Sequence, residues 1–227
     1  SIGIFSFFSY PFAYPFVWVV TFLSIFIITS EYIKPLFSNI LIKKIACMFI
    51  LTYSLFGSSK LFERIQAELD WGKASTLALC KSYNETLPTY ERLEKMFVSN
   101  PYFLYNYAAV LQEMKQYTES LEVALKCRQY WADYDLELII GENYQQLNKP
   151  ELAEKYYNSA SMMCPSRFLP LYKLFHLYKT NGEKERSLAM AEAVISKPMK
   201  IKTTTIRMMK REMEREIQKM NMSIKLE

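Results

Sequence analysis

Apolar residues follow two different rhythms along this chain. From Phe16 to Thr29 they run almost unbroken and without a formal charge, as Phe16-Val17-Trp18-Val19-Val20-Thr21-Phe22-Leu23-Ser24-Ile25-Phe26-Ile27-Ile28-Thr29. With Phe12 to Tyr14 in front, the stretch 12–30 approaches the roughly 20 residues a membrane-spanning helix needs. Tyr14 and Trp18 suit an interfacial belt at one end, and Glu31 and Lys34 close the other. A second run, Ile45 to Gly57, reaches spanning length as 41–60 only if Lys43 and Lys44 snorkel to the headgroups, or if it continues to Phe62. A buried or interfacial helix is the alternative there. Ser1 to Phe8 is already apolar and starts without an initiator Met, so it reads as the end of an earlier span in a larger polytopic protein. A basic n-region and a small-residue cleavage site are both missing, which argues against a secretory signal.

From Asn100 onward the period becomes helical, and it repeats. Ala108, Gly141 and Phe175 stand 33 and 34 residues apart. Leu111, Tyr144 and Tyr178 follow three positions later, Ser120, Ala153 and Ser187 twelve later, and Ala124, Tyr157 and Ala191 sixteen later. Turn residues fall between the halves at Lys115-Gln116, Asn148-Lys149-Pro150 and Asn181-Gly182, while Pro101, Pro165 and Pro198 mark the junctions. This register resembles the tetratricopeptide (TPR) signature, in which small residues let helix A of a repeat approach helix B. Amphipathic pairs of this kind cannot bury their apolar faces alone and must stack. An earlier, degenerate copy is expected over 66–99, carrying Trp71, Ala74, Tyr83, Tyr90 and Leu93. The predicted fold is therefore all-α, with transmembrane helices followed by a TPR-like α-solenoid. Its parts are a membrane region 1–62, repeats over 63–198 (66–99, 100–133, 134–167 and 168–198), and a capping helix with a basic tail over 199–227.

Charge sharpens the division. Residues 1–59 carry only Glu31, Lys34, Lys43 and Lys44, and the net +5 of the chain is concentrated in the tail, from Lys200 to Lys225. That tail has no aromatic residue, so it reads as a solvated terminal helix rather than a nucleic-acid contact, and no nucleic-acid partner is expected. Five glycines in 227 residues argue against phosphate-cradling loops. Cys47, Cys80, Cys127 and Cys164 form no CxxC pair, so neither metal nor cofactor is expected; a Cys127–Cys164 disulfide is left open. The lysines between the two spans, against a neutral flank after the second, place 31–44 in the cytoplasm and the repeats outside.

Phe8-Ser9-Tyr10-Pro11-Phe12 with Tyr14-Pro15 before a span, the linker Phe62 to Trp71, and Asn100-Pro101-Tyr102-Phe103-Leu104-Tyr105-Asn106-Tyr107 opening the first clear repeat carry a second likeness. In that order they resemble the C-terminal part of an O-antigen ligase- or polymerase-type membrane protein with appended TPR repeats. The resemblance implies a multi-pass protein of the bacterial inner membrane with a periplasmic repeat module. It implies membrane lipid as surroundings, and a lipid-linked oligosaccharide as substrate of the missing upstream region. The family's chemistry relies on arginine and histidine in an earlier extracytoplasmic loop, and residues 1–59 contain no Arg, His or Asp. No catalytic residue carries over, and whether the parent is an enzyme stays open. A non-catalytic membrane-anchored TPR scaffold for envelope assembly or secretion is the alternative.

Binding is what remains. In this repeat class the A helices line a concave groove, which by register holds Tyr102, Tyr105, Asn106 and Gln112, then Leu138, Glu142 and Gln145, then Tyr172, Lys173, His176 and Lys179. Tyrosine, asparagine and glutamine suit a protein segment or a glycan; the plainer reading is that the tyrosines cover the apolar stack. His176, the sole histidine, has no evident acidic partner in sequence.

Overall fold

A computed structural model describes residues 40–199 and 203–224. The expected first span, 12–30, lies outside the described residues, as do most side chains of the second. The chain divides into two compact units, Ser1–Glu63 and Arg64–Glu227. Helix α1 spans Ile40–Leu79. Among the described residues no helix is long and apolar enough to cross a membrane. Within the first unit, Ile45, Met48, Phe49 and Phe56 are exposed, Thr52 returns its hydroxyl to the Met48 carbonyl at 3.0 Å, and Lys60 meets Glu63 at 2.7 Å.

The second unit is a stack of helix pairs. After α1 come α2 (Tyr83–Leu93), α3 (Pro101–Glu113), α4 (Tyr117–Arg128), α5 (Tyr134–Gln146), α6 (Pro150–Met163), α7 (Leu169–Thr180), α8 (Lys184–Ser196) and α9 (Thr204–Ile224). The C-terminal part of α1 pairs with α2: Ala74, Tyr90 and Leu93 are buried, and the Ser75 hydroxyl lies 3.2 Å from that of Tyr90. Trp71 of α1 then packs on Phe97 and on Phe103 of α3, at 5.4 and 5.7 Å between ring centres.

The turn inside each pair is built the same way four times. Lys81, Lys115, Asn148 and Gly182 adopt positive φ angles of 62°, 61°, 54° and 77°. Just beyond each, an amide reaches back five residues: Ser82 to Leu77, Gln116 to Leu111, Lys149 to Tyr144 and Glu183 to Tyr178, at 3.0, 2.9, 2.9 and 2.9 Å. This left-handed C-cap satisfies carbonyls that a helix end leaves orphaned. At Lys81 it closes the turn between α1 and α2 with the same geometry. Helix starts are less uniform. Asn100 caps α3 by accepting from the amides of Tyr102 and Phe103, Pro101 occupies the first turn, and Asp133 caps α5 by accepting from Asp135 N at 2.9 Å.

Nearly every register position is buried, and bulk is traded between paired helices. Ala108 and Ala124 are both fully buried in the first clear repeat, and Phe175 and Ala191 share one cluster in the last. In the middle repeat a Cβ on Gly141 would lie 2.6 Å from Tyr157 Cε1, so glycine there is what admits the tyrosine ring. Ser120 uses its place differently, donating its hydroxyl to the Ala108 carbonyl at 2.7 Å. Helix α9 follows α8 as the next A helix of the stack. Met213 is buried with Phe168, Phe175, Ala191 and Val194, and Ile206, Met209, Ile217 and Met220 flank it at helical spacing.

Candidate binding groove

Where α3, α5 and α7 run side by side, the C-terminal halves of α3 and α5 and the first turns and middle of α7 line a cleft of about 350 Å³. Six residues expected from register line it: Gln112, Glu142, Gln145, Tyr172, Lys173 and His176. Glu113, Lys115, Tyr117 and Gln146 complete the lining; Lys115 comes from the turn and Tyr117 opens α4, so the helix-A register gives no warning of either.

The two glutamines are held from behind by buried groups. Gln112 donates its side-chain amide to the Ile139 carbonyl and to Asn143 Oδ1, both at 3.3 Å. Fully buried Asn143 in turn donates to Ser120 Oγ at 2.7 Å, so α3, α4 and α5 share one polar network. Tyr157, buried against Gly141, donates its hydroxyl to Gln145 Oε1 at 2.8 Å. Gln112 is left with its carbonyl oxygen and Gln145 with its NH₂ group, an acceptor and a donor at the cleft. In the same lining Glu142 and Lys173 form an ion pair from α5 to α7, each about a third exposed.

Helix α9 closes one end of the groove. Tyr172 donates its hydroxyl to Glu212 Oε2 at 2.8 Å, and Lys179 pairs with Glu216. His176 Nε2 stands 3.4 Å from Glu212 Oε1, is shut off from solvent and makes no hydrogen bond. The sequence expectation of no acidic partner is corrected here, because Glu212 is brought to His176 only by the docking of α9. Burial lowers the His176 pKa, Glu212 opposes that, and Lys179 and Lys173 reinforce it, so the ring is neutral at pH 7. Burial, then the hydrogen bond from Tyr172 to Glu212 and the Glu212 charge, push the Tyr172 hydroxyl up to about 12.

The remaining expected groove residues lie elsewhere. Leu138 is a correction: it faces the core with Ala153, Tyr157 and Leu174, because the helix-A position it occupies is covered by the adjoining helices. Tyr102, Tyr105 and Asn106 sit near the start of α3, away from the cleft lining, and Lys179 pairs instead with α9. Trp131, which register did not flag, lies against Tyr102 and Tyr105 at 5.4 and 5.9 Å between ring centres. Burial pushes the Tyr105 hydroxyl up to about 12, with further contributions from Asp135, Asp133 and Cys127. Glu137 is a second residue that register missed; its carboxylate is fully buried and paired with Arg128.

Cys80, Cys127 and Cys164 are free thiols; Cys127 donates to the Pro101 carbonyl at 3.2 Å, tying the end of α4 to the start of α3. Among the described residues no group of three or more His, Cys, Asp or Glu side chains is placed to hold a metal ion.

Solved structures decide the architecture. The crystal structure of MamA protein matches with a TM-score of 0.53 at 14% identity, covering 57% of this chain and 72% of its own. TTC0263, a thermophilic TPR protein of Thermus thermophilus, gives 0.53 at 16%, covering 66% and 82%. YrrB, described as a TPR protein with an unusual peptide-binding site, gives 0.50 at 18%, covering 56% and 66%. The fold is a TPR solenoid. At these identities the likeness establishes fold alone. No family model matches the chain, and no curated protein matches its sequence significantly.

Proposed function

We propose that the TPR solenoid is a docking platform whose cleft grips an extended segment of a protein partner. The observation that carries this reading is the pair of glutamines. Gln112 offers an acceptor and Gln145 a donor, each fixed by a buried partner, in the cleft that the Glu142–Lys173 pair also lines. A peptide unit presents one N–H and one C=O, and preorganised groups meet it with little loss of side-chain freedom. YrrB's described peptide-binding site supports use of a groove in this fold by such a ligand.

The test is a peptide-display selection against the full chain in detergent, followed by affinities for Gln112→Ala with Gln145→Ala. Two lost hydrogen bonds should weaken the selected peptides about tenfold. Peptides that bind the double variant as tightly as the original chain would sink the assignment.

A finer reading rests on the sequence resemblance: the platform is carried by an O-antigen ligase- or polymerase-type protein of the bacterial inner membrane, with residues 1–62 in the bilayer and the repeats in the periplasm. Its support is the near absence of charge in residues 1–59, together with the exposed Ile45, Met48, Phe49 and Phe56 on α1. On this reading a glycan or a glycan-assembly protein is the ligand, and a lipid-linked oligosaccharide is handled upstream. A membrane-anchored scaffold of envelope assembly is the rival. Removing residues 60–227 from the full-length parent should impair surface glycan; unchanged surface glycan favours the scaffold.

A further inference from the structure

Away from the cleft, where α3 begins and α4 hands over to α5, aromatic side chains gather next to two acidic residues. Tyr102 is 64% exposed and its ring lies 5.4 Å from that of Trp131, tilted by 47°. Tyr105, one helical turn on, meets the same indole edge-on at 5.9 Å and 71°. Asp133 and Asp135 follow Trp131 by two and four residues at the start of α5, where Asp133 Oδ1 accepts from the Asp135 amide at 2.9 Å, and the charge of both raises the proton affinity of the Tyr105 hydroxyl. Among the described residues neither carboxylate takes part in an ion pair of 4 Å or less. The cation with an influence on Asp135 is Arg167, and its guanidinium is engaged over a different ring, that of Tyr134, at 5.9 Å.

We propose that this corner is a cation-recognition site, which takes the side chain of an arginine or lysine from the partner segment. Aromatic faces and carboxylates present the same sign of potential, so a cation gains from both at once. A neutral sugar could stack on Tyr102 but brings no charge to meet the two carboxylates. Exposed Tyr102 and half-buried Trp131 are also of the residue types that anchor interfaces. That the cation belongs to a protein rests on the platform reading above; that a cation binds here does not.

The experiment therefore uses small probes on the full chain in detergent micelles. The chain has three tryptophans, and comparison with Trp131→Phe assigns the Trp131 indole N–H resonance in NMR. N-acetyl-arginine methylamide and its lysine counterpart should shift that resonance saturably. N-acetyl-norleucine methylamide and methyl glucoside should leave it in place. Asp135→Asn and Tyr102→Leu should each weaken the arginine probe about threefold, and added salt should weaken it further. Asp135 is chosen because Asp133 caps α5, and unchanged melting temperatures confirm that both variants fold. Equal shifts with norleucine or glucoside, or unaltered binding by both variants, overturn the proposal. Because no peptide is involved, failure of the glutamine test leaves this result readable, and the reverse also holds.

Discussion

The junction between the first two clear repeats and the junction between the last repeat and α9 do the same structural task with different chemistry. At the first, Gln112, Asn143 and Ser120 form a largely buried network, and within the middle repeat beside it Gly141 leaves room for the Tyr157 ring. At the second, Met209, Met213, Ile217 and Met220 fill the gap, while Tyr172, His176 and Lys179 reach Glu212 and Glu216 at the rim. Buried hydrogen-bonded groups admit one arrangement, because a small shift leaves a donor unpaired in a low-dielectric interior. Methionine has flexible torsions and tolerates small displacements, and rim charges are screened. The middle of the solenoid is thus the unique part, and its end is the adaptable one.

That contrast can be broken first at Gly141. Gly141→Ala should destabilise the repeats by about 1–3 kcal/mol in urea denaturation, since the new methyl meets the Tyr157 ring. Adding Tyr157→Ala recreates the small pair that Ala108 and Ala124 already form. The double variant should then be less destabilised than the sum of the single ones, whereas strict additivity would show that the contact is not what limits the site.

A smaller change tests the turns common to both regions. Lys115→Gly should stabilise by roughly 0.5–1 kcal/mol, because a non-glycine residue is held at φ 61°. Gly182 already has this advantage in the last repeat, so Gly182→Ala should cost a similar amount. Melting curves of the two variants check both signs.

The smallest effect is expected at the α9 junction and depends on pH. His176 faces Glu212 and Glu216 from α9, with Lys173 and Lys179 on its own helix. Its folded pKa lies below the unfolded value of 6.5, so the neutral ring contributes stability that is present above about pH 6.5 and lost as pH falls through the folded value. Amide exchange in α9 should quicken between about pH 7 and pH 5 relative to His176→Gln, with the middle repeat unaffected. Equal acceleration in both proteins would remove His176 from the account.

Much of this was legible in the chain, for a local reason. A helix pair that cannot bury its own apolar surface must place small and large residues at one period. That is why Ala108, Gly141, Ser120, Ala153 and Ala191 announced themselves and are all buried. The groove was only partly legible. Register located Gln112, Glu142, Gln145, Tyr172, Lys173 and His176 on the cleft, but also put Leu138 there, where neighbouring helices cover it. Trp131 and Lys115 stand outside the helices and Tyr117 opens α4, on the helix-B side, so the helix-A register does not reach them.

By itself the sequence determined the stacking of helix pairs, their spacing, their turns and which faces turn inward, since all of these follow from interactions within one repeat and its neighbour. Only the tertiary structure decided which side chains meet across helices: Asn143 with Gln112 and Ser120, Glu212 with Tyr172 and His176, Tyr157 with Gln145. Those partners depend on how far each repeat rotates on the last, and that rotation is set by the summed packing of two or three helices rather than by any one residue's preference.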